Sequence, residues 1–149
     1  MPLKVILATD GSEGARKAAL FTRDLFRSRP GVEVIILHVV SSFQHLMTPS
    51  HELGLARWSE LLREMEQAAR AKAREFMREI EELFGEETRT TVMVTVGDPA
   101  SEIVHLAKEE KADLVILGSR GLGQVQSLLL GSVSDRVVHL APCPVLVVR

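Results

Sequence analysis

An α/β fold with a doubly wound parallel sheet is predicted for this chain, and three observations predict it. Short runs rich in Val, Ile and Leu alternate with segments whose apolar residues recur every three or four positions. The order reads as five strands separated by four helices. The run Val32 to Val40 is apolar almost throughout, as strands covered on both faces are. Parallel strands need right-handed helical crossovers, so helices are expected on both faces of the sheet.

Taken in order, Leu3 to Ala8 is the first strand, and Thr9-Asp10-Gly11-Ser12 is a turn signal after it. Ala15, Ala18, Ala19, Thr22, Leu25 and Phe26 share one face of the first helix, which Arg29-Pro30-Gly31 stops. Val32 to Val40 follows as the second strand. Residues 41 to 54 have no period and read as a long loop, expected to serve function. A helix is predicted from Leu55 to Phe84 with Gly85 as its stop. Its stripe is Leu55, Trp58, Leu62, Met65, Ala69, Ala73, Phe76, Ile80 and Leu83; its charges are mixed and read as a solvated face. Thr90 to Val96 is the third strand. Asp98 caps the next helix, with Pro99 in its first turn. Asp113 to Leu117 is the fourth strand. Ser132-Val133-Ser134-Asp135 matches a capping box for the last helix, which ends near Ala141-Pro142. Pro144 to Val148 is the fifth strand.

With 149 residues, the chain suffices for one hydrophobic core and not two, so a single domain over residues 1–149 is expected. Apolar content of 46% against 26% charged residues is ordinary for a soluble globular protein. A formal net charge of −2 argues against nucleic-acid binding. No apolar stretch is long enough for a membrane helix or a signal peptide, so a cytoplasmic protein is expected. Cys143 is the only cysteine, which excludes an internal disulfide and a cysteine-based zinc site.

The fourth strand runs through Leu117 into Gly118-Ser119-Arg120-Gly121, and nine residues later comes Gly131-Ser132-Val133-Ser134 at a helix start. Glycine admits close backbone approach, and the free N–H groups and dipole of a helix N-terminus favour an anion; this is how α/β proteins hold phosphate. Neither a Gly-Lys-Ser/Thr loop nor a Gly-x-Gly-x-x-Gly fingerprint is present. In such sheets ligands sit beyond the carboxyl ends of strands where the winding reverses. Asp10 follows the first strand at such a place and is read as a ligand contact as well as a turn residue.

The chain resembles the universal stress protein family over essentially its whole length. The likeness rests on Val5-Ile6-Leu7-Ala8-Thr9-Asp10-Gly11-Ser12, on Leu37-His38-Val39, on Gly97-Asp98-Pro99 and, above all, on the segment from Gly118 to Arg149. Gly118, Gly121 and Gly131-Ser132 meet the spacing of that family's ATP-binding signature. The resemblance implies a Rossmann-like five-stranded sheet of order 3-2-1-4-5. It implies ATP as ligand, with Ala8, Thr9 and Asp10 bordering the adenosine and Val39 meeting the adenine through its backbone. Gly118, Gly121, Gly131, Ser132 and Ser134 would hold ribose and phosphates, the amides of Ser132 and Val133 being open to the ligand even if Ser132 also caps its helix. Arg120 is either a phosphate contact or a solvated loop cation. Ala8 stands where some ATP-binding relatives carry proline, a small departure if the contact is main chain.

From Gly118 to Ser134 there is no Asp, Glu, His or Lys, and rapid phosphoryl transfer needs a held metal and a group that orients the nucleophile. No catalytic residue is assigned. A switch or sensor with little hydrolysis is expected, the alternative being a slow ATPase or an autophosphorylating enzyme. A divalent ion such as Mg²⁺ or Mn²⁺ would be held by the phosphates and water, with Ser119 or Asp10 the nearest protein oxygens. The five histidines show no zinc spacing; His45 and His51 fall in the irregular loop, a candidate flap. Cys143 reads as a small residue at a strand entry. Val145 to Val148 has no charge and, as an uncovered edge strand, is expected to pair with its counterpart in a two-fold homodimer.

Overall fold

A computed structural model describes residues 1–42, 54–119 and 130–149. The elements are β1 (Leu3–Ala8), α1 (Glu13–Phe26), β2 (Val32–Ser41), α2 (Leu55–Glu82), β3 (Arg89–Gly97), α3 (Pro99–Glu109), β4 (Leu114–Gly118), α4 (Ser132–Leu140) and β5 (Val145–Val148). All five strands form one parallel sheet of order β3-β2-β1-β4-β5, the Rossmann-like arrangement expected. None of the described helices is long and apolar enough to cross a membrane.

β1 is central, with Val5 registered against Val34 of β2 on one side and Leu114 of β4 on the other. Its Val5, Ile6 and Leu7 are fully buried, and their alternation divides the core in two. Val5, Leu7, Val34, Ile36 and Ile116 pack with Ala18, Ala19 and Phe26 of α1 and with Met77 and Ile80 of α2. Ile6, Ile35, Leu37, Val115 and Leu117 pack on the other face with Ile103, Leu106 and Ala107 of α3 and Val137 of α4. Helices therefore cover both faces, and β5 is an edge, paired with β4 alone among the described residues.

The helix over 55–84 ends two residues earlier than predicted, and only its C-terminal half sits on the sheet. Met77 is fully buried although the predicted stripe passes it by, whereas Leu55 at the stripe's head is 74% exposed. Gly85 takes the left-handed conformation (φ +63°) that ends the segment.

Candidate functional site

β1 lies between β2 and β4, so the chain winds away from it in opposite directions and a crevice opens at its carboxyl end. Thr9 extends the ladder, its N–H donating to the Leu37 carbonyl at 2.9 Å. The next three residues form a tight turn. Oδ1 of Asp10 accepts from the Ser12 N–H at 2.9 Å, and the Ser12 hydroxyl accepts from the Ala15 N–H at 3.1 Å, capping α1. Gly11 between them has φ +79°, and a Cβ there would sit 3.3 Å from the Phe76 ring. Asp10 thus organises the turn and lines the crevice as well.

The crevice is a cavity of about 440 Å³, inside the range of roughly 300–1,000 Å³ usual for small-molecule sites. Ala8, Thr9, Asp10, Val39, Leu117, Gly118, Gly131, Val133 and Ser134, all singled out from the sequence, line it together. Arg120 and Gly121 lie outside the described residues, as do His45, His51 and residues 43–53 of the loop.

Ser132 corrects the capping-box expectation. Gly131, in extended backbone (φ −73°, ψ 164°), is the N-cap, and among the described residues no side chain caps α4. Ser132 is already helical and exposed, and the first helical bond runs from the Asp135 N–H to the Gly131 carbonyl at 2.9 Å. Two residues on, the buried Ser134 hydroxyl lies 2.8 Å from the Ser119 carbonyl and 3.0 Å from that of Gly131, sharing its single proton between them. The Gly131 N–H also donates to the Ser119 carbonyl, at 2.6 Å. These bonds fasten the start of α4 to the end of β4, and among the described residues no side chain caps its first turn.

Gly118 has a structural reason of its own. A Cβ there would stand 2.9 Å from the carbonyl carbon and oxygen of Gly14, so β4 needs glycine to let α1 approach.

A family model described as the universal stress protein family matches residues 1–149. The chain belongs to that family. A Thermus aquaticus universal stress protein is 37% identical over 146 residues, covering 97% of each chain. The structure of Methanocaldococcus jannaschii universal stress protein MJ0577 superposes with TM-score 0.83 at 30% identity, covering 99% of this chain and 96% of that one. Two structures share the fold at lower identity. One is a universal stress protein in complex with cAMP (TM-score 0.70, 23% identical, 99% and 97% covered). The other is the Archaeoglobus fulgidus protein in complex with dAMP (0.62, 22%, 100% and 98%).

In this universal stress protein the crevice also has a wall that the sequence reading missed. Ala69, Lys72, Ala73 and Phe76 of α2 line it, as do Pro99 and Ile103 of α3. His38, opposite in facing to Val39, reaches the α2 side. Its Nδ1 lies 2.8 Å from the Thr9 carbonyl, and since a carbonyl only accepts, Nδ1 carries the proton. Its ring meets Phe76 edge-on, centroids 4.9 Å apart at 85°. The alanines and Phe76 had been visible as a core stripe, and Lys72 was hidden among the mixed charges of α2. Asp10, His38 and Lys72 are the ionisable groups among the described lining residues.

Beside the crevice, Asp98 caps α3, its Oδ2 accepting from the Ser101 N–H (3.0 Å) and hydroxyl (2.6 Å). Its Oδ1 is 3.0 Å from Nη1 of Arg136 on α4. The Arg136 guanidinium and then the two Ser101 donors hold the Asp98 carboxyl down at a pKa of about 2. Burial, with a contribution from Asp113, pushes the Cys143 thiol up, which keeps it protonated and unreactive near neutral pH. Among the described residues no cluster of His, Cys, Asp or Glu could hold a metal ion.

Proposed function

We propose that this universal stress protein binds ATP in the crevice and acts as a nucleotide-dependent switch or sensor in the cytoplasm, hydrolysing its ligand slowly at most. The observation that carries this reading is the N-terminus of α4, without a side-chain cap among the described residues, opening on the same cavity as Asp10 and Val39. The adenosine lies against Ala8, Thr9, Asp10 and Val39. The phosphates rest on the amides of Ser132, Val133 and Ser134, with Leu117, Gly118, Arg120, Gly121 and Gly131 completing the cradle. Mg²⁺ or Mn²⁺ accompanies the phosphates, held mostly by them and by water. The cAMP and dAMP complexes of proteins with this fold support an adenine nucleotide as ligand.

Slow chemistry follows from the groups at hand. The segment from Gly118 to Ser134 carries no Asp, Glu, His or Lys to hold a metal or orient a nucleophile, and Asp10 already takes the Ser12 amide at the turn. Mass spectrometry of protein purified without added nucleotide is expected to find ATP. Single-turnover kinetics should give a rate far below the ~10 s⁻¹ typical of enzymes; a rate near that value overturns the sensor reading.

The same reading makes the protein a homodimer through Val145–Val148. Among the described residues β5 leaves one backbone edge unpaired, and two such edges close symmetrically when antiparallel. Light scattering at micromolar concentration is expected to give twice the chain mass, and a monomer contradicts the pairing.

A further inference from the structure

Arg136 stands one helical turn after Ser132 on α4. Helical side chains lean back toward the N-terminus, so Arg136 shares its side of α4 with Ser132 and Val133, two of the residues whose amides are proposed to hold phosphate. There it is engaged by Asp98, at 3.0 Å, with the Ser101 hydroxyl 3.4 Å from its second nitrogen. The contact joins the starts of α3 and α4, whose Pro99 and Val133 line the crevice. Both side chains are about half exposed (48% and 49%), and exposed pairs of this kind add little to folding. Its electrostatic consequence is larger than its stabilising one. A carboxylate and a guanidinium cancel each other beside a site meant for a polyanion. Asp135, the acid in the first turn of α4 itself, lies 3.8 Å from Nδ1 of His139, one turn further along the helix.

Resting on the ATP reading above, we propose that the Asp98–Arg136 pair sets how strongly the crevice prefers ligands with more phosphates. Arg136 is the attracting cation and Asp98 the anion that restrains it. Removing the guanidinium leaves Asp98 unbalanced and repels the phosphate tail. Removing the carboxylate charge, with the cap kept, releases Arg136 toward the tail. The two changes therefore act in opposite directions, and both grow with ligand charge.

The test is calorimetric titration of the full chain with adenosine, AMP, ADP and ATP at one ionic strength. Arg136→Gln is expected to weaken ATP about tenfold, ADP less, and adenosine not at all. Asp98→Asn, which keeps an acceptor for the Ser101 amide, is expected to tighten ATP about threefold and leave adenosine unchanged. Arg136→Lys, a milder change in case the Gln variant folds poorly, should fall between wild type and Gln. The inference is overturned if both variants weaken adenosine and ATP alike, the mark of a structural clamp, or if the ATP-to-adenosine ratio does not move. A wild-type chain that binds none of the four ligands brings down the ATP reading and this inference together. Wild-type binding with an unmoved ratio brings down the inference alone.

Discussion

α1 and α4 both begin at the crevice, each just beyond the carboxyl end of a central strand, yet their first turns are finished differently. At α1 the chain closes its own helix end. Ser12 caps the Ala15 amide, Asp10 takes the Ser12 amide, and Phe76 lies over Gly11. At α4 the cap is Gly131, which has no side chain to offer, and the nearby Ser134 hydroxyl turns inward to Ser119 and Gly131. A helix start beside a cavity, with no side-chain cap among the described residues, has amides that an external acceptor can take in place of water. One end supports the fold, and the other is the end that the proposed function gives to the ligand.

The largest effect that sharpens this contrast concerns how close α1 comes to β4. Gly118→Val drives a side chain into the Gly14 backbone, where even a Cβ is 2.9 Å away, and should destabilise the protein by about 2–3 kcal/mol in urea denaturation. A variant as stable as the parent would show that Gly118 is kept for another reason. Ser12→Ala removes the α1 cap and should cost about 1 kcal/mol with ATP affinity unchanged. A matching loss of affinity would mean that α1's start is part of the ligand site after all.

The smallest effect is one of pH. Asp98 has its carboxyl held at about 2, below its ordinary 3.8, because Arg136 and Ser101 favour the charged form. Its contribution is therefore complete above about pH 4 and is lost as pH falls toward 2. The group is half exposed and screened, so the effect should stay under about 1 kcal/mol. The stability difference between wild type and Asp98→Asn should shrink between pH 4 and pH 2. A difference that stays constant over that range would show that the pair does not favour the charged carboxyl.

Much of this was legible beforehand because period and punctuation are local. Strand runs and helix stripes placed all nine elements, and the glycine spacing, with the family likeness it carries, led to the crevice and the strand order. What stayed hidden was long-range or decided by one position. Ser132 and Gly131 both suit an N-cap, and only the backbone at Gly131 settles which it is. The need for glycine at 118 comes from Gly14, a hundred residues earlier, and no local pattern records it. His38 looked like an ordinary strand residue because nothing local says that its ring meets the Thr9 carbonyl and Phe76. Met77 escaped because steps of three or four, strung over a helix this long, can follow more than one line along its surface.

The most direct measurement is calorimetric titration of ATP with Mg²⁺ into the wild-type chain and into Gly131→Asp, alongside their thermal melts. Gly131 has backbone angles that any residue adopts (φ −73°, ψ 164°), so the aspartate can cap α4 and set its own carboxylate on the open amides. The account predicts one ATP per wild-type chain and at least about tenfold weaker uptake by the variant, with its melting temperature kept or raised. Equal uptake by a well-folded variant, or none by the wild type, would contradict it.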